Sequence, residues 1–317
     1  MSADSRLAPV RKLDPATVLA AVNATARVDL DLVGLAPGGE VGAAYVRWPD
    51  GTEGVLSWRP GGADIDAVRR TADVLDLVRR SRGLPVPSYD LIVELPDDLG
   101  IAVVQERLPG VPAGSMATAG AGIRRSDVIR AMVELNERFA GLLATRPDVP
   151  PPALYLQHSG PGFCIHESLQ TYDSRTRRLL GWIREVGRQE PATPSGDDLV
   201  HLDFHTGNVL VDSGGQITGV IDWDGIARGD RRFALVTMRF DLAVGTGPFG
   251  SAVPGERDTS DPATIRWLDT LLETSLAPET LRLYWAHMSL RMVDWAIRHY
   301  SAAEVEHWCG FAETRMD

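Results

Sequence analysis

The chain has 317 residues, of which 44% are hydrophobic and 24% charged, and its formal net charge is −11. At roughly 100 to 200 residues per domain this length points to two structural units, and the apolar fraction excludes disorder for the bulk of the chain. The acidity argues against a basic duplex-binding face, no apolar run approaches the about 18 residues of a membrane span, and the N-terminus lacks the apolar core of a secretory signal. A cytoplasmic protein that engages neither nucleic acid nor membrane is expected. Cys164 and Cys309 are too few for a metal knuckle or a disulfide framework and read as buried thiols. Lys12 is the only lysine among 32 basic residues.

Asp14 before Pro15 reads as a helix cap with proline at the first helical position, and Val18, Leu19 and Val22 then share one face. From Asp29 the period falls to two. Strands are expected at 30–35, 43–48 and 54–59, the last two joined by the Asp50-Gly51 turn. A helix over 64–80 follows, with Ile65, Val68, Ala72, Leu75 and Val78 on its buried stripe and Gly83 closing it. Two further strands are expected at 89–95 and 101–107, around a turn at 96–100. Gly38, Gly39 and Gly42 lie between the first two strands, where absent side chains would let backbone N–H groups reach a phosphate. The same glycines suit an ordinary hairpin loop.

Beyond Leu108-Pro109-Gly110 the pattern turns helical. Ser126 is expected to cap a helix reaching Ala144, and a second helix is expected over 169–186. The stretch 199–224 departs from this pattern. A polar loop holds His201, Asp203 and Asn208, then strands at 209–212 and 217–221 flank Gly214-Gly215, and Asp222 and Asp224 follow. A tight hairpin here would bring Asp203 and Asn208 toward Asp222. Hard oxygen ligands of this kind suit Mg2+ completed by substrate phosphates, although each aspartate alone could simply cap a turn.

The His201-x-Asp203-x4-Asn208 run, the Ile221-Asp222-Trp223-Asp224 run after the hairpin, and Gly229-Asp230 resemble the catalytic segment of the aminoglycoside phosphotransferase family. The resemblance extends to the N-terminal strands and helix, to Leu84-Pro85-Val86-Pro87, to 105–110 and to the closing helices. It implies an α+β, two-lobed protein-kinase-like fold. Residues 1–108 would form the nucleotide-binding lobe and linker, a five-stranded antiparallel sheet with one helix, and 109–317 a mainly helical catalytic and substrate-binding lobe.

The implied activity is transfer of the γ-phosphate of ATP or GTP to a hydroxyl of a small molecule, of the kind that underlies antibiotic resistance. Asp203 would be the catalytic base, Asn208 and Asp222 would hold Mg2+, and Asp224 would add a second metal contact. The loop glycines Gly38 and Gly39, with Ser57 and Arg59, would face the phosphates, and the linker with Gln105 and Arg107 would run past the base. His201 is read as an anchor for the loop. A non-catalytic nucleotide-binding relative, a metal-dependent phosphohydrolase, and a kinase of an amino alcohol or sugar stand as alternatives.

The sequence departs from the family pattern on the third strand, which reads Val55-Leu56-Ser57-Trp58-Arg59 where a lysine is usual. Ser57 and Arg59 alternate onto one face, so Arg59 is the candidate replacement. On the following helix Thr71 stands where glutamate is common, with Asp73 nearby. For the acceptor, the net acidity suggests a cation such as an aminoglycoside or basic peptide antibiotic, with Asp294 and Glu167 as candidate amine contacts. The stripe Tyr284, Trp285, Met288, Met292 and Trp295 reads as core, and 245–262 as a loop or lid.

Overall fold

A computed structural model describes residues 13–36, 42–59, 63–96, 99–115, 124–190, 195–244 and 261–316. The chain divides into two compact units, one of Met1–Gly110 with Thr218–Asp224 and the other of Val111–Ile217 with Gly225–Asp317. The expected Gly38-Gly39 loop and most of the 245–262 segment fall outside the described residues.

In the first unit, helix α1 (Pro15–Ala26) starts where the Asp14 carboxylate accepts the Thr17 N–H. Strands β1 (Asp31–Leu35), β2 (Ala43–Arg47) and β3 (Glu53–Arg59) precede helix α2 (Ile65–Arg82), and β4 (Tyr89–Leu95) and β5 (Gly100–Glu106) follow it. They form one antiparallel sheet in the order β1-β2-β3-β5-β4. The period-two pattern of β3 gives each sheet face its own helix. Leu56 and Trp58 pack with Val46, Val104 and the Val18, Leu19 and Val22 stripe of α1. The opposite face carries Ile101 and Val103 against Val68 of α2. Ser57 pairs with Val103 and Arg59 with Ile101, so both polar side chains lie on the α2 face, as strand alternation predicts. The segment 218–224 is tied in where Val220 N–H donates to Pro85 O at 2.8 Å.

The second unit begins with β6 (Val111–Pro112) and a 3-10 turn (Ala113–Ser115), followed by α3 (Arg125–Glu137), α4 (His166–Tyr172) and α5 (Ser174–Gln189). Strands β7 (Asp198–His201), β8 (Val209–Val211) and β10 (Ile226–Gly229) come next, β9 (Ile217–Val220) lying almost wholly in the segment that belongs to the first unit, and then α6 (Arg232–Val244), α7 (Pro262–Ser275), α8 (Pro278–His299) and α9 (Ala302–Glu313). β7 pairs with β10 and β6 with β8, both antiparallel. No helix among the described residues is long and apolar enough to cross a membrane.

Two helices differ from expectation. The one expected to reach Ala144 stops at Glu137, because Phe139 O and Leu143 N–H bond Leu199 N–H and Asp197 O instead of continuing the helix, and Gly141 takes φ 66°. Its N-cap is Arg124 rather than Ser126, with no side-chain cap bond. The stretch 169–186 is split at Asp173, whose extended backbone ends α4 and whose carboxylate forms a capping box with Thr176 to start α5.

Helix α8 is the spine of this unit. Tyr284, Trp285 and Met288 are fully buried core, and Trp285 packs with Phe240 and Phe311. His287 is buried among them, accepting the Tyr155 N–H at Nδ1 over 3.3 Å and packing on Phe233. Burial, with the charge of Arg291 second, pushes its pKa down to about 3. An unfolded histidine binds a proton near pH 6.5, so below that pH the unfolded state gains a proton that the folded state refuses. Stability should therefore fall on acidification from pH 6.5 toward 4. Denaturant titrations across that window should show a slope reduced by up to about 1.4 kcal/mol per pH unit in His287→Gln.

Candidate active site

The loop between β7 and β8 has no regular backbone pairing, and side chains supply its hydrogen bonds. His201, at the buried end of β7, accepts the Asp203 N–H at Nδ1 over 3.1 Å. Leu202 N–H reaches Gly225 O at 3.1 Å. Asn208 donates through Nδ2 to the carbonyl of Asp203 at 3.0 Å and, at 3.4 Å, to its Oδ2. With Nδ2 so used, Oδ1 is the Asn208 atom left to accept or to ligate a cation.

Thr206 anchors the middle of the loop. Its N–H and Oγ1 both donate to Asp241 Oδ2 on α6, at 3.0 and 2.7 Å, and its carbonyl accepts the Gly114 N–H at 2.9 Å. His205 accepts the Gly207 N–H at Nδ1 and sets Nε2 3.4 Å from Asp203 Oδ2. A Cβ on residue 207 would stand 2.7 Å from that ring, so glycine is needed there.

The Asp203 carboxylate also meets a residue that sequence reasoning did not single out. Arg291, on α8, donates through Nη2 to Asp203 Oδ1 at 2.7 Å and through Nη1 to Leu202 O at 3.0 Å. Burial alone would raise the Asp203 pKa, but Arg291 foremost, then His205 and His201, outweighs it and holds the carboxyl well below the usual range. His205 shows the reverse balance: burial lowers its pKa, while the hydrogen bond and charge of Asp203, with Asp241, raise it overall. Neither Arg291 nor Asp241 has a local sequence signal, because each acts across a large separation in the chain.

The first unit holds a second group. Arg59 forms an ion pair through Nη2 with Asp224 Oδ1, while its Nη1 is buried with no hydrogen-bond partner among the described residues. Thr71 is buried and bonds its own helix at Ala67 O, and Asp73 is exposed. The acid paired with the strand cation is thus Asp224 and not a residue of α2. Tyr89, on the same sheet face, has its pKa pushed well up by burial first and by the charge of Asp224 second, with Asp222 adding and Arg59 opposing. Asp222 adopts φ 63°, a left-handed conformation that aspartate tolerates better than most residues. The Trp223 indole donates to Val220 O at 2.8 Å and braces that turn.

The remaining sequence candidates are dispersed. Ser57 lies on the Arg59 face of β3, and Gln105 is in β5 opposite Val55. Arg107 stacks 4.1 Å over the Tyr45 ring and pairs with Glu53. Glu167 is exposed on the first turn of α4. Asp294 has no exposed surface, and its oxygens are taken by Arg298 at 2.9 and 3.0 Å and by Ser168 at 2.7 Å, so it ties α4 to α8 and lacks the open carboxylate an amine contact needs. Among the described residues, no group of three or more His, Cys, Asp or Glu is arranged to hold a metal ion unaided. A Mg2+ shared between protein and substrate phosphates needs no such cage.

A five-stranded sheet with a cation on its third strand, joined to a helical unit whose loop presents an Asp-Asn pair, defines a kinase-like phosphotransferase. The phosphotransferase enzyme family model matches residues 35–280, and the chain belongs to that family. It is a phosphotransferase of the small-molecule kinase type, acting on hydroxyl groups. No curated protein matches the sequence. Among solved structures, the chain is similar to a thermostable mutant of aminoglycoside phosphotransferase APH(4)-Ia in ternary complex with ADP and hygromycin B. Identity is 17% and the TM-score 0.62, over 96% of this chain and 98% of that one. It is also similar to an aminoglycoside-3'-phosphotransferase of type VIII at 22% identity and TM-score 0.57, over 86% and 98% of the two chains. An amicoumacin kinase in complex with AMP-PNP, Ca2+ and Ami gives 16% and 0.61, over 96% and 94%.

Asp241 is expected to hold the loop in shape. Replacing it with alanine removes a charged acceptor from two donors and should cost about 1.5 to 3 kcal/mol, read by denaturant unfolding. Amide exchange at Thr206 should quicken in the same variant.

Proposed function

We propose that the protein transfers the γ-phosphate of ATP or GTP to a hydroxyl of a small, cationic antibiotic-like acceptor, with Asp203 as base. The observation that carries this reading is the Asp203–Asn208 pair. Asn208 spends its Nδ2 on Asp203 and keeps an oxygen for a metal, while Asp203 Oδ2 has only two long contacts, at 3.4 Å, and so retains capacity to accept a proton-bearing group.

In this reading Asp203 accepts the hydrogen bond of the acceptor hydroxyl and aligns its oxygen with the γ-phosphorus. The new O–P bond forms as the bond to the nucleoside diphosphate breaks, and the hydroxyl proton passes to Oδ2. An ionised, weakly basic aspartate suits a reaction in which orientation counts for more than proton abstraction. Asn208, Asp222 and Asp224 are hard oxygen donors that fit Mg2+, which would neutralise phosphate charge when bound. Arg59 takes the part of the missing lysine. Its unpartnered Nη1 is a charged donor already desolvated, which favours a phosphate oxygen arriving there. The glycine loop with Gly38 and Gly39, Ser57, and the linker at Gln105 and Arg107 complete the proposed nucleotide site.

The acceptor class rests on the relatives and on charge. Similar structures are described with hygromycin B, with kanamycin and GDP, and with an amicoumacin. The net charge of −11 would draw cations. Glu167 is retained as an amine contact and Asp294 is not, since Arg298 and Ser168 already hold it.

Asp203→Asn should lose about a hundredfold to ten-thousandfold of acceptor-dependent ADP or GDP release while keeping nucleotide binding. Turnover at the wild-type rate would exclude the base assignment. Calorimetry should find that Arg59→Ala weakens nucleotide binding more than Ser57→Ala does; equal and negligible changes would place no strand-borne cation on the phosphates.

A further inference from the structure

We propose that Arg291 is a positioning residue for phosphoryl transfer, pinning one oxygen of Asp203 so that only the other is offered to the acceptor hydroxyl. The inference rests on the reading of Asp203 as the base.

The two carboxylate oxygens are held unequally. Oδ1 takes the charge-assisted bond from Arg291 at 2.7 Å, whereas among the described residues Oδ2 has only His205 and Asn208 at 3.4 Å each. A carboxylate free to turn about its last torsion would present either oxygen, and that torsion is broad in aspartate. Of the described side chains bonded to this carboxylate, Arg291 alone comes from outside the 201–208 loop. His205 and Asn208 belong to the loop itself, so Arg291 is the contact that ties the carboxylate directly to a helix.

Arg291 sits on a helix whose neighbouring Leu290 and Val293 are fully buried, so its origin is rigid. The second prong of the guanidinium bonds Leu202 O at 3.0 Å, the carbonyl immediately before Asp203. Backbone and side chain of the reacting residue are therefore gripped by one planar group. A lysine offers a single ammonium in place of this rigid fork and cannot reproduce its geometry. Placement errors of about 1 Å can cost about a hundredfold in rate.

The test uses the full chain with ATP or GTP, hygromycin B or kanamycin as acceptor probes, and water as the acceptor available in every case. Arg291→Met should lower kcat tenfold to a hundredfold, with the acceptor KM changed less than threefold and nucleotide affinity unchanged by calorimetry. Arg291→Lys should recover part of the loss, and added guanidinium should raise the rate of Arg291→Ala where urea does not. A second measurement needs no turnover: amide exchange at 203–208 should quicken at least tenfold in Arg291→Met, with α5 and the rest of α8 unchanged. Wild-type kcat per folded molecule, or an unchanged exchange pattern in 203–208, would overturn the proposal. So would a lost rate that neither lysine nor guanidinium restores. Retained turnover in Asp203→Asn would instead overturn the base reading beneath it.

Discussion

The segment that carries Asp203 is an irregular loop, and an irregular loop cannot satisfy its own backbone. Each N–H and C=O taken from water there must find a partner or lose stability. In this protein the partners are polar side chains at fixed places: His201 for the Asp203 N–H, Asn208 for the Asp203 carbonyl, Asp241 for the Thr206 N–H and Arg291 for the Leu202 carbonyl. These contacts set the loop geometry before any substrate arrives. They also give a role to two polar residues of the helices, Asp241 on α6 and Arg291 on α8.

The same constraint bears on the strand cation. An arginine replaces lysine on β3, and its partner comes from the segment after β9 and not from α2. A guanidinium reaches further and has two prongs, so one nitrogen pairs with Asp224 while another is buried with no partner among the described residues. Thr71 on α2 is turned to its own helix carbonyl at Ala67.

What was legible in the sequence follows from the range over which the forces act. The β3 alternation put Ser57 and Arg59 on one face because strand geometry is local, and Asp14-Pro15 and Asp50-Gly51 punctuated the chain because capping and turn preferences are local. The stop at Glu137 was hidden because the competing hydrogen bonds come from Asp197 and Leu199, some sixty residues on. The break at Asp173 was in reach, since Asp173 and Thr176 spell a capping box, but the apolar period on either side masks it. Arg291 and Asp294 invert the reading of α8. Asp294, the candidate amine contact on this helix, is spent on Arg298 and Ser168, and it is Arg291 that reaches Asp203.

Composition bears on the form these contacts take. With Lys12 the only lysine in the chain, the ion pairs described above other than His205–Asp203 are made by arginines, and several use more than one nitrogen. Arg298 grips Asp294 through Nε and Nη2, Arg239 grips Asp269 the same way, and Arg231 spans Asp198 and Glu137. A forked donor fixes the orientation of its carboxylate as well as its distance, which a rotating ammonium does not. On surfaces such pairs add little stability. Around Asp203 the forked contact from Arg291 fixes the orientation of the carboxylate directly. The arginine-rich composition of the chain thus bears, at this position, on the geometry of one carboxylate.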